Sequence, residues 1–241
     1  MAVILNLETS TEVCSASLSI DGKVVQLREN SSGKNHALQL TLFIEEILAA
    51  QKIQIKDLQA VAISGGPGSY TGLRIGVSTA KGICYAAGLN LIAISSLESM
   101  ANFVINNHAQ QGLEVDENTL FCPMIDARRM EVYTAFYDIR GKQVREIKAD
   151  IIDNHSYIEY LDARKVIFLG NGAAKCQHTI LHQNAIFLPK ITTSASHMSA
   201  LAEKAFQSGK FVNVAYYEPF YLKDFVATIP TKNIFKTSDD H

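Results

Sequence analysis

The chain has 241 residues, 47% of them hydrophobic and 19% charged, with a formal net charge of −2. That is ample apolar material for one large or two small globular domains and excludes a disordered or strongly basic polypeptide. No Lys/Arg run exceeds Arg128–Arg129, so a nucleic-acid role would need a partner to supply positive charge. Cys14, Cys84, Cys122 and Cys176 are far apart and form no C-x-x-C, a pattern of free thiols in a reducing compartment. The N-terminus lacks a basic n-region and no apolar run reaches membrane-spanning length, so a cytoplasmic protein with no membrane contact is expected.

In chain order, "AVILNL" (2–7) reads as a strand buried on both faces, and "VCSASLSI" (13–20) as a second strand. Asp21-Gly22 then predicts a tight hairpin into "KVVQLRE" (23–29). "HALQLTLFIEEILAAQ" (36–51) predicts a helix capped by Asn35, and "AVAIS" (60–64) another buried strand. "SGGPGSYTGLRIG" (64–76) turns the chain into a helix over about 72–87. "LIAIS" (91–95) is a fifth strand, and Ser95 with Glu98 suits a capping box opening a helix near 97–106. The polar segment 106–119 reads as a linker.

The second half repeats this order. "EVCSASLSIDGK" (12–23) aligns without a gap on "EVYTAFYDIRGK" (131–142), "LNLET" corresponds to "PMIDA", and "VAISGGPG" (61–68) to "VIFLGNGA" (166–173). Three matches in one order argue for a duplicated strand–strand–strand–helix–strand–helix unit. The expected class is α/β, with two mixed sheets flanked by helices. The lobes are expected at 1–107 and 108–226, the last helix packing back on the first lobe, with an aperiodic, frayed tail over 227–241. Two such lobes with an acidic residue at each first hairpin resemble the actin-like (RNase H-like, ASKHA) ATPase superfamily.

The glycine segment is no Walker loop, because its first lysine, Lys81, lies turns away along the helix. Its spacing is informative in another way. Gly72, Gly76, Ala80, Cys84 and Gly88 recur every four residues, with Ser78, Gly82 and Ala86 as a second row. Glycine inside a helix costs about 1 kcal/mol relative to alanine, so close backbone approach is the expected compensation. The preceding helix has apolar residues over more than one face, including Leu38, Leu40, Leu42, Phe43, Ile44, Ile47 and Leu48. Each helix could simply be buried inside this chain, but the matched anomalies of two neighbouring helices favour a partner interface at His36, Leu40, Phe43, Ile47, Gly72, Ile75, Gly76, Thr79, Ala80 and Ile83. On this reading Gly76→Leu abolishes pairing and leaves the fold intact.

"LETSTEVCSASL", "AISGGPGSYTGLRIGVSTAKGI", "IDARRMEVYTAFYD" and "YEPFYLKD" resemble the TsaB (YeaZ) family over about residues 3–225. The resemblance implies a two-lobed actin-like fold without stand-alone catalysis. It implies pairing with a TsaD-like catalytic subunit through the first-lobe helices, alongside a TsaE-like ATPase, in forming threonylcarbamoyladenosine on tRNA. TsaD-type proteins hold a metal with a His-x-x-x-His pair after the fifth strand. This chain has "SSLESMANF" there, so no metal, required cofactor or transfer chemistry of its own is expected. A homodimer is expected when the chain is alone, and tRNA contact only indirectly.

Other residues carry alternatives. Glu8 and Asp126 occupy matched positions and, with Thr9, Ser10 and Arg128, could hold ATP or ADP with magnesium weakly. The competing reading has each carboxylate fixing its own hairpin. Arg128 and Arg129 follow a strand end, where they could meet nucleotide phosphate, tRNA or an acidic partner, or simply be solvated. His178 and His182 in "HTILH" are placed at i, i+4 on a second-lobe helix, as two solvated histidines or a metal pair. The aromatics of 216–225 read as a C-terminal anchor or a base-stacking surface. His36 and Ser69 lack the motifs of a peptidase.

Overall fold

The computed structural model describes residues 2–33 and 35–223. The predicted tail over 227–241, and Phe225, lie outside the described residues. The first sheet contains β1 (Val3–Glu8), β2 (Cys14–Ile20), β3 (Lys23–Asn30), β4 (Ala60–Ser64) and β5 (Asn90–Ile94), in the order β3-β2-β1-β4-β5. The second contains β6 (Leu120–Asp126), β7 (Glu131–Tyr137), β8 (Gln143–Ile151), β9 (Val166–Leu169) and β10 (Ala185–Leu188), in the order β10-β9-β6-β7-β8. Read from the hairpin side, the two orders are the same. In each, two antiparallel pairings precede two parallel ones. The sequence repeat is thus a repeat of topology.

The hairpin expected at Asp21-Gly22 forms with both residues in the left-handed region, φ 49° and 74°. Helix α1 (His36–Gln51) begins as expected, but Asn35 is itself left-handed, φ 57°, and makes no side-chain cap bond. Helix α2 (Tyr70–Ala87) starts two residues before the expected boundary, because Ser69 Oγ accepts from Gly72 N at 3.3 Å and caps it. Helix α3 (Ser96–Asn107) is capped by Ser95, whose side chain accepts from Glu98 N at 3.4 Å.

Helices α1 and α2 cover one face of the first sheet, around Leu5, Leu7, Leu40, Ile47 and Ile63. The opposite face is covered by α6 (Ser199–Gln207) and the residue before it, through Ala202 and Met198 against Ile4, Ala62 and Ile92. The second sheet takes α4 (Ile158–Leu161) and α5 (Ala173–Cys176) on one face. Its other face receives α3, where Leu97, Met100 and Val104 meet Phe121 and Ile167. Each half therefore places its last helix on the other half's sheet. The sequence boundary at 107/108 does not separate two spatial bodies, and Leu113 and Val115 of the expected linker pack into the α3 core.

The segment 178–182 is not helical: α5 ends at Cys176 and turns follow. His182 pairs with Asp162, Nε2 to Oδ1 at 3.4 Å, and its Nδ1 accepts from Asn184 N at 3.1 Å. The i, i+4 reading of His178 and His182 is corrected accordingly. Its premise, helical periodicity, fails where Thr179 and Ile180 turn back onto Cys176.

Candidate functional site: the interlobe cleft

A cleft of about 1010 Å³ opens where the two first hairpins, the start of α1, the start of α2 and residues 221–223 converge. On the first-lobe side, β1 ends in Glu8 and the chain turns through Thr9 and Ser10 beneath the glycine loop. Glu8 is fully buried. Its Oε1 accepts from Ser10 N at 2.6 Å, and Oε2 has no hydrogen-bond partner among the described residues. Burial raises its carboxyl above the ordinary range, an effect opposed by hydrogen bonding from Ser10. Thr9 donates from Oγ1 to Gly72 O at 2.8 Å, and Ser10 O accepts from Ser69 N at 2.6 Å. A Cβ on Gly68 would collide with Ser10 O. The expectation that Glu8, Thr9 and Ser10 present a phosphate site is therefore corrected. Glu8 and Thr9 do not line the cleft, and Ser10, although at its wall, is sealed by the loop.

The same geometry accounts for the small-residue row. A Cβ on Gly72 would strike Thr9 O, and one on Gly76 would strike Thr9 Oγ1. The row lets α2 approach the β1–β2 turn of its own chain. Leu40, Ile47, Gly72, Gly76 and Ala80 are all buried within this lobe, so a fold that survives Gly76→Leu is not expected. The second row is exposed, and a Cβ on Gly82 would meet nothing. Of the ten expected interface positions, His36, Phe43, Ile75, Thr79 and Ile83 are partly exposed. Leu38 (62% exposed) and Leu42 (45%) form the outward apolar face of α1. A groove of about 400 Å³ between the helices is lined by Ala37, Tyr70, Arg74, Ile75 and Thr79 among others.

On the second-lobe side, Asp126 closes β6 as Glu8 closes β1, but it is exposed. Its Oδ1 accepts from Arg128 N at 2.8 Å and pairs with the Lys175 ammonium, which comes from α5. Lys175 also donates to Arg129 O and Glu131 O, both at 2.6 Å. Arg128 and Arg129 are both left-handed, φ 69° and 45°. Such backbone costs on the order of 1 kcal/mol or more per non-glycine residue. Asn171 joins the two walls: its Oδ1 accepts from Asp126 N at 3.0 Å and its Nδ2 donates to Glu12 Oε2 at 2.8 Å. Sequence reasoning missed Lys175 and Asn171. The glycine turn of "GNGA" located Asn171 without showing its role, and nothing local marks Lys175.

The C-terminal segment straps the cleft edge. Val212 bridges Leu91, Lys81 Nζ donates to Ala215 O (2.9 Å) and Tyr217 O (3.2 Å), and Phe220 N donates to Gly65 O at 2.8 Å. Tyr221 then packs on Tyr70, ring centroids 4.8 Å apart, and Lys223 pairs with Glu131 of the second lobe. Tyr217, packed on the first-lobe core, and Tyr221 thus belong to an anchor, whereas Tyr216 is 84% exposed. His36 and Ser69 are engaged separately, His36 Nε2 with Thr11 O at 3.0 Å and Ser69 as the α2 cap.

Two interlocked mixed sheets around such a cleft define a two-lobed actin-like α/β protein. A family model described as TsaD, tRNA N6-adenosine threonylcarbamoyltransferase, matches residues 29–231. The tRNA threonylcarbamoyladenosine biosynthesis protein TsaB of Escherichia coli (strain K12) is 30% identical over 237 residues, covering 93% of this chain and 96% of that protein. The protein of the same description from Bacillus subtilis (strain 168) is 29% identical, with 84% and 85% covered. Among solved structures, YeaZ from Pseudomonas aeruginosa superposes with a TM-score of 0.76 at 25% identity, covering 92% of this chain and 100% of that one. The chain belongs to the TsaB (YeaZ) family.

Proposed function

We propose that this chain is an accessory, non-catalytic subunit of the machinery that forms N6-threonylcarbamoyladenosine in tRNA. The observation that carries the reading is full-length similarity to TsaB proteins, joined to a first-lobe hairpin whose acidic residue is sealed from the cleft. A TsaD-like subunit is the proposed partner, docking on the outward face of α1 and α2. The exposed Leu38 and Leu42 and the adjoining groove support that choice. A TsaE-like ATPase is a further proposed partner, self-pairing through the same face is proposed for the chain alone, and the cytoplasm is its proposed location. No helix among the described residues is long and apolar enough to cross a membrane.

The alternative, a nucleotide-hydrolysing or phosphotransferring enzyme, retains Asp126 and Arg128 in the cleft. It loses Glu8, Thr9 and Ser10 as ligands, and the Asp126 carboxylate is occupied by Lys175. The deciding experiment is reconstitution with the TsaD-like and TsaE-like subunits, the upstream synthase, ATP, threonine, bicarbonate and tRNA, with and without this chain. Modified adenosine is quantified by mass spectrometry. Product dependent on the chain is expected; equal product without it refutes the accessory role.

A further inference from the structure

We propose that the Arg128–Arg129 turn, locked in shape by Lys175, is a phosphate-contact site for the tRNA backbone at the mouth of the interlobe cleft. The proposal rests on the tRNA-modification reading above.

The turn is built for display. Two consecutive arginines take left-handed backbone, where hairpins ordinarily use asparagine or glycine. Lys175 holds them there by donating to Asp126 and to the carbonyls of Arg129 and Glu131. Its ammonium is consumed in that task. Arg128 and Arg129 both line the cleft and are exposed, and among the described residues neither guanidinium has a hydrogen-bond or ion-pair partner.

The acidic groups of the same cleft are already engaged: Glu12 with Asn171, Asp126 with Lys175, and Glu131 with Lys223. Asp126 and Glu131 are paired with lysines, whereas Glu12 meets only a neutral amide and keeps its charge, so the two arginines leave the cleft with an excess of positive charge. Arginine suits phosphate because its planar fork donates in pairs to oxyanions.

The geometry favours a polynucleotide backbone over a compact nucleotide. A polyphosphate gripped between the two hairpin turns needs donors from both, and the first-lobe turn is closed by the glycine loop. A backbone needs only one or two phosphates to touch one rim before it continues elsewhere. Ala37, Tyr70, Thr71 and Ile75 line both this cleft and the α1–α2 groove, so the rim adjoins the proposed docking face. RNA held by a partner on that face has a short path to the arginines. With a net charge of −2, the chain contributes register to such a complex, and the partner contributes most of the affinity.

The test uses the complex of this chain with its TsaD-like subunit, with tRNA affinity measured by fluorescence anisotropy across a salt series. The double variant Arg128→Ala/Arg129→Ala is expected to weaken tRNA binding roughly tenfold and to reduce the slope of log K against log salt by about 1.5, for two lost phosphate contacts. Lys175→Met keeps both arginines and is expected to weaken binding in the same direction, because the turn is no longer fixed. Size-exclusion chromatography checks that both variants still pair, and ATP replaces tRNA as the second probe. Unchanged tRNA affinity and slope in a double variant that still pairs overturns the proposal. So does a loss confined to ATP. If the chain is dispensable in the reconstitution, the functional reading itself fails. If it is required and the slope is unchanged, only this inference fails.

Discussion

Thr9 shows how one residue constrains a helix. Its carbonyl and hydroxyl lie where the Cβ atoms of residues 72 and 76 would be, so α2 seats this closely because both positions are glycine. Gly72→Ala is expected to destabilise the fold by roughly 2 kcal/mol, since overpacking against backbone costs about 1–3 kcal/mol. A urea melt showing an unchanged midpoint would contradict this. His197 sets a pH dependence. Its ring stacks on Phe103 at 3.8 Å, and burial lowers its pKa from 6.5 to about 4. Between those values the unfolded chain binds a proton that the folded chain does not, so stability falls as pH drops through that window, by at most about 1.4 kcal/mol per pH unit. His197→Gln is expected to flatten that part of the pH–stability curve. Parallel curves for variant and parent would exclude His197 as the source.

At the scale of elements, the strap over residues 212–223 is tied to α2 by Lys81 and by the Tyr70 ring against Tyr221. Lys81 donates to two strap carbonyls, and the Lys223–Glu131 pair beyond them is exposed enough to contribute less than about 1 kcal/mol. Lys81→Met is expected to leave global stability within about 1 kcal/mol of the parent. Amide exchange of residues 213–220 should nevertheless accelerate, a change readable by mass spectrometry. Unchanged exchange there would mean that Tyr217 and Phe220 hold the strap unaided.

At the scale of the molecule, the exchange of α3 and α6 between sheets ties the lobes together, and α1 and α2 remain on the outside. The apolar residues of that outer face are the ones whose loss should affect association without affecting folding. If the proposed docking face is right, the pair Leu38→Glu and Leu42→Glu abolishes the proposed pairing with a TsaD-like subunit, and the proposed self-association at tens of micromolar, about the range of modest interfaces. The melting midpoint should stay within a few degrees of the parent. Intact sedimentation of the heterodimer would locate the interface elsewhere.

The repeat of pattern determined much by itself. Alternation in 13–20, the Asp21-Gly22 turn and the gapless match of 12–23 on 131–142 specified two copies of one sheet topology, because strand period and turn chemistry are local properties. The matched placement of Glu8 and Asp126 at the ends of β1 and β6 was legible for the same reason. Their chemistry was not. Glu8 is buried under a loop more than fifty residues away in sequence, and Asp126 is held by Lys175 from another element. The glycine row was correctly read as a demand for close approach. Only the tertiary structure decided that the approaching backbone is the chain's own Thr9, since spacing reports that a helix face is narrow but carries no information about what lies against it.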